Sequence, residues 1–211
     1  MNKSILALGA ASALTLLMAS SALAETYKVT ITNNMSAELI APVLVVATAH
    51  DGKIFHGNYV TSNAEVQVLT GDPAQLAASI GSDASVAHGN DGPPGVLLAP
   101  GKSISFSLDT EVHELRFFAM VAPTEVPDNY LTAVVDLSGG MMDDMKDDTM
   151  SDDDMASDDD MKSDDMSDDM MHSDPIIAEF SRFDIGHDEG TKTITSVEGM
   201  GFGTIKIERM M

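Results

Sequence analysis

The chain has 211 residues, a formal net charge of −23 at neutral pH and a sequence pI near 4.2. So acidic a chain lacks the basic groups with which proteins displace counterions from phosphate, which argues against nucleic-acid binding. The chain contains no cysteine, so disulfides, thiolate metal sites and cysteine catalysis are all excluded. The same acidity is compatible with the binding of divalent cations.

Residues 1–24 have the features of a secretory signal peptide. Lys3 supplies a positive start, residues 5–18 are an apolar stretch, and residues 22–24 (Ala-Leu-Ala) form a small-residue cleavage motif. We therefore expect cleavage before Glu25 and export of the mature chain to the periplasm or the extracellular space. Because a cleavage motif and polar residues follow the apolar stretch, we predict no transmembrane segment in the mature chain.

The segments that follow have the alternation and composition of β-strands. In the first of them, Tyr27, Val29 and Ile31 occupy one face and polar residues the other. About eight such segments, separated by turn signals, predict an all-β fold, an antiparallel β-sandwich. The predicted strands cover residues 26–32, 43–47, 103–108, 115–121, 131–137, 176–180, 192–197 and 202–208.

One region has helical signals. Ser62 with Glu65 three residues later forms a capping-box pattern. Asp72 followed by Pro73 resembles an N-cap with proline at the first helical position. We therefore predict one or two short helices within residues 62–80.

Residues 141–174 form a low-complexity run of another kind. They contain fifteen Asp and nine Met but only two Lys, a net charge of −13. Because its charges repel one another and it has almost no apolar side chains besides Met, this run is predicted to be disordered. The three strands predicted after it are too few for an independent domain. We therefore predict a single domain over residues 25–211, interrupted by this acidic insert.

Four stretches of the chain carry a family resemblance. They read APVLVVATAHDGKIF (residues 41–55), a segment containing GDPAQL (63–80), LRFFAMVAPTEVPDNYL (115–131) and FDIGHDEG (183–190). In this order they are similar to the spondin N-terminal domain family. The resemblance implies a β-sandwich related in shape to C2 domains, with a calcium site at one end. It also implies a role in binding or cell-surface interaction, with an unidentified protein or surface ligand as partner.

The resemblance further implies the calcium ligands. Carried over by position, they are Asp128 in the turn of the third stretch, and Asp184 and Asp188 in the Asp-x-Gly-x-Asp turn of the fourth. The first turn is longer here than in the family, so Glu125 and Asn129 are alternative ligands.

The fourth stretch also has the chemistry of a cation site on its own residues. Calcium is bound by about six to eight oxygens, often from carboxylates, carbonyls and water. Gly186 permits a tight turn that brings Asp184 and Asp188 to one point, and Glu189 adds a third carboxylate nearby. The alternative is a plain acidic turn in which Asp184 accepts hydrogen bonds from backbone amides.

The acidic run supports a second functional hypothesis. Thioethers favour Cu(I) and carboxylates favour hard ions, so a periplasmic protein that sequesters calcium or copper through this run is the alternative function. Met170, Met171 and His172 are adjacent and suit copper, whereas a solvated spacer is the simpler interpretation of the run. No nucleophile turn, phosphate loop or catalytic-metal spacing occurs, so we do not expect an enzyme.

Overall fold

The computed structural model describes residues 24–122, 128–140 and 174–210. The structure is mostly β, with 47% strand and 17% helix. The strands form antiparallel sheets and there are three short helices, which confirms the predicted all-β sandwich. Residues 1–23 of the predicted signal peptide and residues 141–173 of the acidic run lie outside the described residues. Within the described part of the chain, no helix is long and apolar enough to cross a membrane.

The described residues contain thirteen strands, which are divided among a four-stranded sheet, a larger sheet and a separate two-stranded sheet. The strands are β1 (Glu25–Asn33), β2 (Leu39–Ile40), β3 (Val43–Ala47), β4 (Phe55–His56), β5 (Tyr59–Val60), β6 (Ser85–Ala87), β7 (Ser103–Thr110), β8 (Glu114–Ala122), β9 (Asn129–Asp136), β10 (Ile176–Glu179), β11 (Ser181–Asp184), β12 (Thr195–Val197) and β13 (Gly203–Arg209). The helices are α1 (Asp51–Ile54), α2 (Ser62–Thr70) and α3 (Ala74–Ile80), with short 3-10 turns at Thr48–His50 and Leu137–Gly140.

The smaller sheet has the strand order β10-β13-β1-β7. The alternation predicted in β1 is observed, since Tyr27, Val29 and Ile31 are at most 6% exposed while the residues between them are half-buried or exposed. On the outer face, the hydroxyls of β1 pair with those of β7, as in Thr30 with Ser105 at 2.8 Å. One face of this sheet therefore covers the core and the other is polar.

The larger sheet has the order β12-β11-β9-β8-β3-β6, and β2 pairs with β8 at its margin. Its central strands are buried on both faces, which explains their nearly continuous apolar sequences. The inner face, with Phe117 and Leu131, packs against the smaller sheet. The outer face, with Phe118 and Tyr130, packs against the helices. The fold therefore has three layers.

The strands on the two sides of the acidic run pair with one another. β10 and β13 belong to the smaller sheet, whereas β11 and β12 extend the larger one from β9. The chain changes sheets at Phe180, whose side chain is 3% exposed in the core. A single strand had been predicted over 176–180, so β11 was missed because this change of sheet leaves no turn signal. The run leaves from the 3-10 turn Leu137–Gly140, which contacts β10, where the chain resumes.

Two short helices, α2 and α3, lie within residues 62–80 as predicted, but their N-caps differ from the prediction and α1 was not predicted. The N-cap of α2 is Thr61, whose hydroxyl accepts a hydrogen bond from the Ala64 N–H at 3.4 Å, and not Ser62. α3 begins at Ala74 with Pro73 as its N-cap, one residue later than predicted, although Asp72 Oδ1 accepts from the Ala74 N–H at 2.9 Å. The four residues of α1 were not predicted as a helix, because they are too few to show helical periodicity.

The end of β1 is fixed by a buried amide. Asn33 is 0% exposed, and its Nδ2 donates to the carbonyls of Glu38 at 2.8 Å and Leu98 at 2.9 Å. Its Oδ1 accepts from the Met35 N–H at 2.9 Å. One side chain therefore satisfies three backbone groups in two segments, the loop between β1 and β2 and the chain at Leu98.

We predict that Asn33→Ala lowers the free energy of unfolding by about 2–4 kcal/mol, because buried backbone groups lose their partners. The matched control is Asn34→Ala, at an exposed neighbouring position whose change should cost less than about 0.5 kcal/mol. Urea unfolding of the mature chain measures both. Equal losses in the two variants would contradict the prediction.

Candidate metal centre

Strand pairing brings the two predicted ligand turns together. β9 begins at Asn129 and β11 ends at Asp184, and these two residues lie directly opposite each other in the antiparallel pair. Asp128 therefore lies just before β9, at the same margin of the sheet where the Asp-x-Gly-x-Asp turn leaves β11. The Ile185 N–H donates to the Asp128 carbonyl at 3.0 Å and joins the two turns.

Four carboxylates converge at this margin. Asp128, Asp184, Asp188 and Glu189 each have an oxygen within 4.8 Å of the corresponding oxygens of the others. Since calcium–oxygen bonds measure about 2.3–2.6 Å, two oxygens on one ion lie at most about 5 Å apart. The structure thus brings together all three predicted ligand residues and adds Glu189, which the sequence had marked only as a nearby carboxylate.

Asp128 is the buried member of the cluster. Its side chain is 2% exposed, and its Oδ1 accepts a hydrogen bond from Asn129 Nδ2 at 2.9 Å. Its Oδ2 is buried and has no hydrogen-bond partner among the described residues. A buried carboxylate oxygen without a donor is costly, and either a bound cation or a proton shared with a neighbouring acid removes the cost.

The acids compete for protons because they are close together. Burial raises the pKa of Asp128, and the adjacent Asp188 and Asp184 carboxylates raise it further. A hydrogen bond with Glu189 lowers the pKa of Asp188 and raises that of Glu189. Two carboxyl groups can share such a bond only when one is protonated, so without a cation the cluster favours retention of a proton.

The turn after β11 is tightly constrained. Asp184 Oδ1 accepts from the Gly186 N–H at 2.6 Å, so the amide-capping role considered for Asp184 is present beside its place in the cluster. Gly186 has a φ of 64°, and a Cβ there would lie 2.1 Å from Thr191 Oγ1. Only glycine fits this position, and the turn therefore holds the two flanking acids in a fixed relation.

Glu65 on α2 anchors the same turn from outside. Its Oε1 accepts from the Tyr59 hydroxyl at 2.8 Å, lies 3.3 Å from His187 Nδ1 and 3.7 Å from Lys192 Nζ. Sequence reasoning assigned Glu65 to a capping box and missed this role, since the partners His187 and Lys192 are distant in sequence. The helix therefore restrains the loop that carries Asp188 and Glu189.

Asn129 and Glu125 were the alternative ligands predicted for the first turn. Asn129 directs its Nδ2 at Asp128 and Asp184, at 2.9 and 3.2 Å, and its Oδ1 accepts from Arg182 Nε at 2.8 Å. Its side-chain oxygen therefore faces Arg182 and not the four acids. Glu125 lies outside the described residues.

Comparison with known proteins does not assign the chain to a family. No protein-family model matches the chain, and no curated protein matches it. The spondin resemblance stays a prediction.

We predict that Asp128→Asn stabilises the metal-free protein by about 1–3 kcal/mol, the usual cost of a buried unsatisfied group. The asparagine keeps the Oδ1 acceptor for Asn129 and removes one buried charge. In the wild type, the pKa of Asp128 is raised in the folded state. In chelator, protonated Asp128 therefore contributes its full stabilisation below the unfolded-state pKa. This contribution is lost as pH rises through the raised folded-state pKa.

The stabilisation should accordingly be larger at pH 7 than at pH 4. Urea unfolding in chelator at both pH values measures it, with Asp109→Asn as a control at an exposed acid. A variant that is less stable than the wild type at pH 7 would contradict the prediction.

Proposed function

We propose that this protein is an exported calcium-binding β-sandwich module of the spondin type, which binds a partner at a cell surface and has no catalytic activity. The observation that carries the proposal is the buried Asp128 Oδ2, which has no donor among the described residues and lies in a cluster of four carboxylates. The signal-like N-terminus supports export.

The donor set favours calcium over other ions. The cluster offers carboxylate oxygens, and it contains no histidine among the residues that the structure describes. Hard cations prefer such ligands, whereas copper and zinc prefer nitrogen and sulfur. The ligands come from the residue before β9 and from the turn after β11, and calcium tolerates an irregular ligand set better than magnesium does, since magnesium requires a near-ideal octahedron.

The site is closed on one side and open on the other. Asp128 is buried and Asp184 is half-buried, whereas Asp188 and Glu189 are exposed. Calcium bound there would face protein on the Asp128 side and solvent on the Asp188 side. Water, or an acidic group of a partner protein, would complete the coordination from the solvent side.

A calcium ion at this place would cross-link the turn before β9 to the turn after β11. It would offset the mutual repulsion of the four acids and restrict the motion of both turns. An ordered, partly open loop end is a suitable surface for a protein or carbohydrate partner. In this role calcium is structural, because it orders the loops to which a partner would bind.

The alternative function is cation sequestration by the acidic run. This hypothesis rests on composition, since residues 141–174 contain fifteen Asp and nine Met and lie almost entirely outside the described residues. It differs from the main proposal in where the metal binds, so deletion of the run separates the two.

We predict that 1 mM calcium raises the melting temperature of the mature chain relative to chelator. A dissociation constant of about 10 μM would add roughly 2.7 kcal/mol by mass action. For a domain of this size the rise is about 5–10 °C. Scanning calorimetry measures it, and Asp184→Asn combined with Asp188→Asn should abolish it. The matched control, Glu111→Gln combined with Glu179→Gln, changes the net charge equally at exposed positions and should retain it.

Deletion of residues 141–174 tests the alternative. The proposed module should keep its calcium-dependent rise in melting temperature, because its ligands lie outside the run. Isothermal titration should still show one tight site per chain, with the weak sites lost. Loss of the tight site on deletion, in a protein that remains folded, would favour sequestration by the run.

A further inference from the structure

We infer that Arg182 is a positioning residue of the metal centre, and that it acts by holding the Asn129 amide as a hydrogen-bond donor to the ligands. The inference rests on the proposed function, because it concerns how the same site selects its ligand atoms. It deepens that function by assigning roles to two side chains that are outside the acidic cluster.

Arg182 is held by three independent groups. Its Nη1 donates to both carboxylate oxygens of Glu38, at 2.9 and 3.1 Å, and its side chain is 14% exposed. The guanidinium lies over the Phe202 ring, 5.9 Å from the centroid. The remaining bond, from Nε to Asn129 Oδ1, measures 2.8 Å. Because the guanidinium is planar, the first two contacts fix the direction of this third bond.

The bond from Arg182 determines which end of the Asn129 amide faces the acids. With Oδ1 engaged, Nδ2 donates to Asp128 Oδ1 at 2.9 Å and to Asp184 Oδ2 at 3.2 Å. A flipped amide would place its oxygen against two carboxylates and its NH₂ against the Arg182 N–H. Both contacts would be repulsive, so the observed orientation is strongly favoured in the absence of a cation.

The orientation of the Asn129 amide determines which oxygen of Asp128 is left for the ion. The two N–H groups of one neutral side chain each bond an oxygen of a different acid, Asp128 or Asp184, and these acids lie on opposite sides of the acidic run in sequence. Asp128 is left with one uncommitted oxygen, the buried Oδ2. Asn129 therefore excludes itself from coordination and directs Asp128 Oδ2 toward the ion.

The matched pair Arg182→Met and Arg182→Gln tests this step. Both replacements lose the charge and the pair with Glu38, and both side chains have the length of arginine up to Nε. Glutamine places an NH₂ donor where Nε stands, and methionine places a methyl group there. A difference between the two variants therefore reports the bond to Asn129 and not the loss of the ion pair.

Terbium serves as the probe in place of calcium. Its emission on excitation of tyrosine selects ions close to one of the three tyrosines, Tyr27, Tyr59 and Tyr130, and the acidic run contains no tyrosine. Tyr130 follows Asn129 in the chain, and Tyr59 donates to Glu65, which meets the metal-centre turn. Emission lifetimes in H₂O and D₂O count the coordinated waters, and competition by calcium gives the calcium affinity.

We expect calcium affinity to fall about tenfold in Arg182→Met, the usual effect of removing an outer partner of a metal ligand. We also expect about one fewer coordinated water, because the freed Asn129 amide can turn its oxygen to the ion. Arg182→Gln should restore the water count and most of the affinity. A merely structural role of Arg182 would lower the melting temperature of both variants in chelator and leave the water count unchanged.

The outcomes separate the inference from the proposed function. Tyrosine-sensitised terbium binding by the wild type, with identical water counts and affinities in the two Arg182 variants, would overturn the inference alone. Absence of such binding, together with absence of a calcium effect on melting, would overturn the proposed function and the inference with it. Asn129→Ala gives an independent test if the Arg182 variants do not fold. Its calcium affinity should fall at least about tenfold, and a value within about twofold of the wild type would overturn the inference.

Discussion

The antiparallel pairing of β9 with β11 is the constraint on which the proposed site depends. It sets Asn129 opposite Asp184, and so places Asp128 and the turn after Asp184 at one margin of the larger sheet. A shift of this register by one residue would reverse the faces of one strand relative to the other and separate the four acids. The acidic run lies between these strands in sequence, so the site forms only when the chain on both sides of it has joined the same sheet.

The three layers give that margin a rigid base. The inner face of β8 and β9 packs against the smaller sheet, and the outer face packs against α2 and α3. Tyr130, next to Asn129, stacks on Phe183, next to Asp184, with ring centroids 5.5 Å apart. Metal ligands that follow packed strands hold their geometry better than ligands on long loops. The cost is a set of like charges that the fold brings together before any ion neutralises them.

Local patterns in the sequence predicted much of the fold but little of what surrounds the acids. The alternation of Tyr27, Val29 and Ile31 and the short helices within residues 62–80 depend on neighbours a few residues away, and these predictions were confirmed. Asp184 and Asp188 share one short turn and could be proposed from spacing. Arg182 and Asn129, in contrast, are 53 residues apart, and Glu65 and His187 are 122 apart. Such contacts depend on strand register and helix position, which a local pattern does not encode.

The acidic run joins the sandwich at two points that lie side by side, the 3-10 turn after β9 and the start of β10. For a flexible connection, as the composition of the run predicts, doubling the length costs only about 0.6 kcal/mol of closure entropy. Residues of the Asp- and Met-rich run could therefore be gained or lost with little penalty to folding. The fold thus leaves evolution free to change the charge and thioether content of this segment independently of the sheet margin that holds the four acids.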